Sequence, residues 1–269
     1  MLTMTIPQRF RGPPNSGNGG YVCGILAQHI PGAAEVTLRA PPPLEKPLAT
    51  VAKDDGTWEL LDSGVTIAVG RSVSLDLTRV EKASFDEAAK AEQNPVTKPN
   101  EHPLPMCFVC GPQRAPGDGL RIGAGPLARP VAGGAVVVAA TWTPSSNLGG
   151  SDGLVAPEFL WAALDCPTGY ACACDNKAGG SDQTPILLGR MSARIEARPR
   201  PGERCVITAW ETSRDGRKRT AEAAAHGESG ILLAVARATW IAVDRQDDDP
   251  ASIQGRRWES NGRSRILIG

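Results

Sequence analysis

One stretch constrains this chain more than any other: Asp152-Gly-Leu-Val-Ala-Pro-Glu-Phe-Leu-Trp-Ala-Ala-Leu-Asp-Cys-Pro167. Pro157 suits a first helical turn, where its missing N–H costs nothing. Pro167 biases Cys166 away from helix, so the sequence predicts a segment of about ten residues framed by two prolines. The residues between them are apolar almost all the way round, the pattern of a buried helix. Glu158 and Asp165 interrupt it. Seven residues apart, they share a face and sit roughly 10 Å apart along the axis. Burying two acids there is costly unless something uses them.

Asp165 falls in the last turn of this expected helix, where the macrodipole and the apolar neighbours both disfavour a charge. A pKa raised in this way suits a general base. The structural alternative is an acid bridging backbone N–H groups of the turn at Pro167, and the two readings stand side by side. Glu158, near the positive helix end, is comfortable there for structural reasons alone.

A second feature lies at the start of the chain. Asn15-Ser-Gly-Asn-Gly-Gly-Tyr21 leads into Val22-Cys-Gly-Ile-Leu-Ala-Gln-His29, a loop delivering the chain into a closely packed helix. The amides of Gly19, Gly20 and Tyr21 would then point out of a positive helix end, where an anion or an oxyanion can be held. An ordinary glycine-rich turn is the plainer reading.

Short alternating segments follow: Ala34–Ala40, Leu48–Lys53, Thr57–Leu61 and Ser63–Val69, separated by Asp54-Asp-Gly and Asp62-Ser-Gly turns. Ser84-Phe-Asp-Glu87 is a capping box opening a polar helix, and Asn94 to Pro105 reads as a linker. Cys107-Phe-Val-Cys110 lacks a second Cys pair at zinc-finger spacing, so free packed thiols are expected and no metal. Strands are predicted at Gly119–Ile122 and Ala135–Trp142. Four more are predicted at Ile186–Ala197, Cys205–Thr212, Lys218–Ala225 and Ile231–Val243, with a hairpin turn at Arg214-Asp-Gly-Arg217. The order of strand material, buried helix and strands occurs twice, giving an α+β fold in which each helix is wrapped by an antiparallel sheet.

Lys plus Arg and Asp plus Glu number 29 each, so nothing favours nucleic acid. No apolar run approaches a membrane span and no signal peptide is evident. Seven cysteines suit a reducing compartment, and the expected location is cytoplasmic. No Gly-x-Ser-x-Gly elbow, phosphate loop or dinucleotide fingerprint in the required setting is present.

Asn18-Gly-Gly-Tyr-Val-Cys-Gly-Ile-Leu-Ala27, then Val36-Thr-Leu-Arg-Ala-Pro-Pro-Pro-Leu44, resembles the first half of double-hotdog acyl-CoA thioesterases. Leu160-Trp-Ala-Ala-Leu-Asp165 is similar to the helix carrying that family's catalytic aspartate. Cys107-Phe-Val-Cys-Gly111 with Gly119-Leu-Arg-Ile resembles the entry motif of many uncharacterised hotdog proteins. The resemblance implies two tandem hotdog domains, 1–80 and 106–243, joined by a helical and Pro-rich linker at 81–105 and followed by a polar tail at 244–269. It implies an acyl-CoA or related acyl-thioester substrate, no cofactor, and a homodimer of such chains. Asp165 becomes the base or nucleophile, with Glu158 and the hydroxyl of Ser192 (or Thr208) as further catalytic candidates. Asn18, Gly19, Gly20, Tyr21, Trp161 and Arg237 become substrate-binding candidates. The family's glutamine in the last strand is missing, since Val235–Thr239 offers only Arg237 and Thr239. A hotdog protein that binds an acyl or aromatic ligand without turnover is therefore the alternative. A hotdog hydratase or dehydratase is third, because it needs a paired histidine and only His29, His102 and His226 exist.

Overall fold

A computed structural model describes residues 2–128, 136–174, 182, 184–243, 256–258 and 264–266. Most of the loop read at 175–184 and most of the tail from 244 lie outside the described residues. Eleven strands form one antiparallel sheet. They are β1 (Leu2–Thr5), β2 (Ala34–Leu38), β3 (Pro47–Ala52), β4 (Trp58–Asp62), β5 (Val65–Ser72), β6 (Gly125–Pro126), β7 (Val137–Trp142), β8 (Ile186–Ile195), β9 (Cys205–Asp215), β10 (Lys218–Gly227) and β11 (Leu232–Ala242). Their spatial order is β1-β3-β4-β5-β2-β8-β11-β10-β9-β7-β6. The first five strands of the chain make one half and the other six make the second. The seam between them is the β2–β8 pair, from Ala34 opposite Ala193 to Thr37 opposite Arg190. A separate ribbon pairs β12 (Arg256–Trp258) with β13 (Ser264–Ile266).

Two helices lie on one face of this sheet. The first, α1 (Gly19–Ala27), is capped by Asn18, whose side chain accepts from the Tyr21 N–H at 2.9 Å. The polar helix α2 (Phe85–Ala91) carries the expected capping box between Ser84 and Glu87. The long helix α3 (Pro157–Ala173) buries most of its residues and does not stop at Pro167. That corrects the sequence expectation. An interior proline costs a helix roughly 3 kcal/mol, but burying one large side chain returns about 1.5–3 kcal/mol. Beyond Pro167, Thr168, Gly169, Tyr170, Ala171 and Cys172 are all buried. The hydroxyl of Thr168 donates to the Asp165 carbonyl at 2.6 Å and accepts from the Trp240 indole at 2.9 Å. Asp165 consequently sits in mid-helix, away from the negative helix end.

Side-chain parity sorts the sheet into two faces. Toward α3 point small residues, Ala221, Ala223 and Ala225 of β10 with Ala234, Ala236 and Ala238 of β11, which let the helix approach closely. On the other face Trp210, Ala224 and Val235 pack with Leu75 and Val137. Residues 73–80 run along this outer face. Their backbone bonds to its side chains: Arg194 donates to the Leu75 carbonyl and Arg237 to the Asp76 carbonyl, both at 2.6 Å. The strand expected at Gly119–Ile122 is instead an irregular arm, left-handed at Arg121, whose Leu120 and Ile122 amides bond the carbonyls of Phe108 and Val109. It pairs with the cysteine loop rather than with the sheet.

Candidate active site

The two buried helices meet through α1's glycines. A Cβ on Gly20 would lie 2.4 Å from the Asp165 Cβ and 2.9 Å from the Trp161 carbonyl oxygen, and one on Gly24 would lie 2.7 Å from the Glu158 Cα. Glycine at both positions is what allows α1 to rest directly on α3. At this contact the Asp165 Oδ2 accepts two hydrogen bonds, from the Gly20 N–H and the Asn18 Nδ2, each 2.9 Å long. Its other oxygen, Oδ1, is buried without a hydrogen-bond partner among the described residues.

Asp165 is 2% exposed. Burial pushes its pKa up to about 7, further raised by the nearby Cys107 and held back by the donors on Gly20 and Asn18. The direction is the one expected from the sequence, and its main cause is burial rather than the helix end.

Asn18, Gly20, Trp161, Glu158 and Asp165 are thus brought together. Glu158 accepts from the Gln28 side chain at 2.8 Å, on the α1 flank rather than beside Asp165, and its half-buried carboxyl is pushed up by desolvation. Tyr21 stacks on Phe10 at 4.1 Å within a cluster completed by Phe108 and Phe159. Of the three amides read as an oxyanion hole, two are committed: Gly20 to Asp165 and Tyr21 to the Asn18 cap. Gly19, packed against Leu188 and Leu38, is the remaining one.

Ser192 and Arg237 do not join the group. Both lie on the outer face, paired across β8 and β11. Ser192 donates to Glu35 at 3.2 Å, and Arg237 neutralises the fully buried Glu222 at 2.7 Å beneath the 73–80 segment. Thr208 also faces outward and donates to the Glu81 carbonyl at 2.8 Å. Alternation places side chains of one strand on opposite faces, and without knowing which face met α3 the sequence could not tell inner from outer. The histidines form no pair with Glu158 or Asp165: His29 stacks on Trp58, His102 meets the Tyr170 hydroxyl at 3.0 Å, and His226 is buried in β10.

Sequence reading missed a neighbour. Cys166, directly after Asp165, lies with Cys107 and Cys110, and the three sulfurs are within 4.8 Å of one another. The neighbouring Cys110 and Cys166 sulfurs, with the backbone N–H groups of Cys110 and Val109, draw the Cys107 pKa well below the usual thiol value, while Cys110 and Cys166 are pushed well above it. The adjacency of Cys166 to the acid was the only available signal.

No protein-family model matches the chain and no curated relative matches it. Solved structures do. The tesB protein of Mycobacterium avium subspecies paratuberculosis shares 10% identity at a TM-score of 0.56, over 90% of this chain and 91% of that one. Acyl-CoA thioesterase II TesB2 from Mycobacterium marinum shares 13% at 0.58, over 90% and 92%. A protein of unknown function with a hot dog fold from Alicyclobacillus acidocaldarius shares 13% at 0.56, again over 90% and 92%. This chain has a hotdog fold. The candidate acid lies where helices α1 and α3 touch.

Proposed function

We propose that this hotdog protein is an acyl-thioester hydrolase, acting on acyl-CoA or a related thioester, with Asp165 as general base. One observation carries the reading: a buried carboxyl group whose Oδ2 is fixed by Asn18 and Gly20 while Oδ1 has no partner among the described residues. Two donors on one oxygen fix the orientation of the acid, which leaves the other oxygen to take a proton. In the reaction Asp165 accepts a proton from water as the water oxygen bonds to the thioester carbonyl carbon. The C–S bond then breaks and the proton goes to the departing thiolate, giving a carboxylic acid and a free thiol. The Gly19 N–H at the positive end of α1 is the donor assigned to the developing oxyanion. Two tandem hotdog units, 1–80 and 106–243, meeting at β2 and β8, would place the base on one unit and its positioning donors on the other. The thioesterase names of similar folds support this reading at the level of the fold.

The test is release of free CoA from a panel of acyl-CoAs of different lengths, with Asp165→Asn as control. Turnover that falls by about a hundredfold or more in the variant supports the reading. Equal rates in both proteins on every chain length would sink it. The depth of Asp165 and the two bonds on its Oδ2 favour a second reading, a ligand-binding protein in which the acid is a structural bridge. Thermal stabilisation by acyl-CoA without CoA release would select it.

A further inference from the structure

We infer that Cys107, Cys110 and Cys166 are the protein ligands of a tightly bound thiolate-seeking metal ion of the zinc class, held between the cysteine loop and α3. Three ligand sulfurs on one tetrahedral ion with bonds of ~2.3 Å stand roughly 3.8 Å apart. Here Cys107 Sγ and Cys166 Sγ are separated by 3.9 Å, and all three sulfurs lie within 4.8 Å of each other. The loop that presents two of them is built for that geometry. The Gly111 N–H bonds the Cys107 carbonyl at 2.9 Å, and a Cβ on Gly111 would lie 2.5 Å from that same oxygen, so the turn closes only on glycine. Phe108 between the cysteines plugs into the aromatic cluster with Phe10, Tyr21 and Phe159. The loop is also tied at Phe108 N to Arg11 O and at Leu120 N to Phe108 O.

A second observation is independent of the sulfur spacing: donors converge on the sulfurs, as they do around metal-bound thiolates. The Val109 and Cys110 amides point at Cys107. The Asn18 Nδ2 lies 4.0 Å from the Cys107 Sγ. On the other side a relay runs one way. The Leu104 N–H donates to His102 Nδ1 at 3.1 Å, which leaves the Nε2 of the neutral ring as the donor to the Tyr170 hydroxyl at 3.0 Å. The Tyr170 hydroxyl lies near the cysteine cluster. A side-chain amide facing the Cys107 sulfur suits a metal-bound thiolate there. His102 therefore acts behind the site, and the fourth coordination position is filled from outside this protein's three sulfurs. Cys110 and Cys166 are only partly buried. Soft sulfur ligands select zinc-like over magnesium-like ions.

The experiment uses the full chain purified under reducing conditions and reads metal, not turnover, so its outcome is independent of the thioesterase proposal. Elemental analysis is expected to find about one zinc per chain. Chelation followed by titration with Co²⁺ is expected to give a saturable sulfur-to-cobalt charge-transfer band at the same stoichiometry. Alkylation followed by peptide mass mapping is expected to show Cys107, Cys110 and Cys166 protected in the loaded protein and modified after chelation. Cys110→Ser and Cys166→Ser should each abolish the band while circular dichroism stays native. Because the first three measurements use the natural chain, a variant that fails to fold does not rescue the idea. Wild-type protein with no bound zinc and no cobalt–sulfur band, or one that simply oxidises to a Cys107–Cys166 disulfide in the presence of zinc, overturns it.

Discussion

Asn18 does three jobs with one side chain: its Oδ1 caps α1, and its Nδ2 donates to Asp165 and approaches the Cys107 sulfur. Replacing it with alanine removes a helix cap, about 1 kcal/mol, and leaves a buried carboxyl short of a donor, about 1–3 kcal/mol. Asn18→Ala is therefore expected to lose roughly 2–4 kcal/mol of unfolding free energy in a urea melt. Gly20 fails differently. A Cβ there has no room against Asp165 and Trp161, so Gly20→Ala should cost at least about 3 kcal/mol by overpacking. A melt showing less than a third of that would mean that α1 can slide away from α3. Glu92 offers a pH test of its own. It accepts from the amide and hydroxyl of Thr141, at 2.9 and 2.8 Å, yet burial outweighs those bonds and its pKa is raised. A folded pKa above the unfolded one means the contribution is intact below pH about 4.3. It is lost as pH rises through the raised value. The urea midpoint of the natural protein should accordingly drop relative to Glu92→Gln as pH increases over that range. A constant difference would refute it.

At the scale of elements, the legible features were those with local causes. The glycine-rich entrance to α1, the capping box at Ser84–Glu87 and the hairpin at Arg214–Arg217, whose Gly216 has φ +53°, need only neighbours in sequence. The failures were decided by tertiary packing. Pro167 reads as a stop, but the burial of Thr168 to Cys172 against β9, β10 and β11 carries the helix through it. Gly119–Ile122 looks like a strand, but it finds its partners in the cysteine loop. Short β1 passed unnoticed because Leu2–Thr5 is half outside any turn-bounded run, and only its pairing with β3 makes it a strand. In the candidate site, Asp165 and the helix entrance at Gly19, Gly20 and Tyr21 could be picked from chemistry and spacing, and Asn18 only through the resemblance. Ser192 and Arg237 could not be rejected, because a strand sequence gives alternation without saying which side meets the helix.

At the scale of the molecule, the sheet crosses from one half to the other through β2 and β8, and the helices lock across the same boundary through Gly20 and Gly24. Neither half is then complete alone. Residues 1–80 expressed separately are expected to aggregate or to associate, measurable by light scattering, whereas mixing them with residues 81–269 should restore a soluble pair. A stable monomer of the first fragment would show that the seam is dispensable. The same seam has a temporal side. A ribosome finishes β2 at Leu38 but does not begin its partner β8 until Ile186. Throughout that interval the nascent chain carries an open hydrogen-bonding ladder and a glycine-faced helix with nothing to rest on, a period in which chaperone protection matters most.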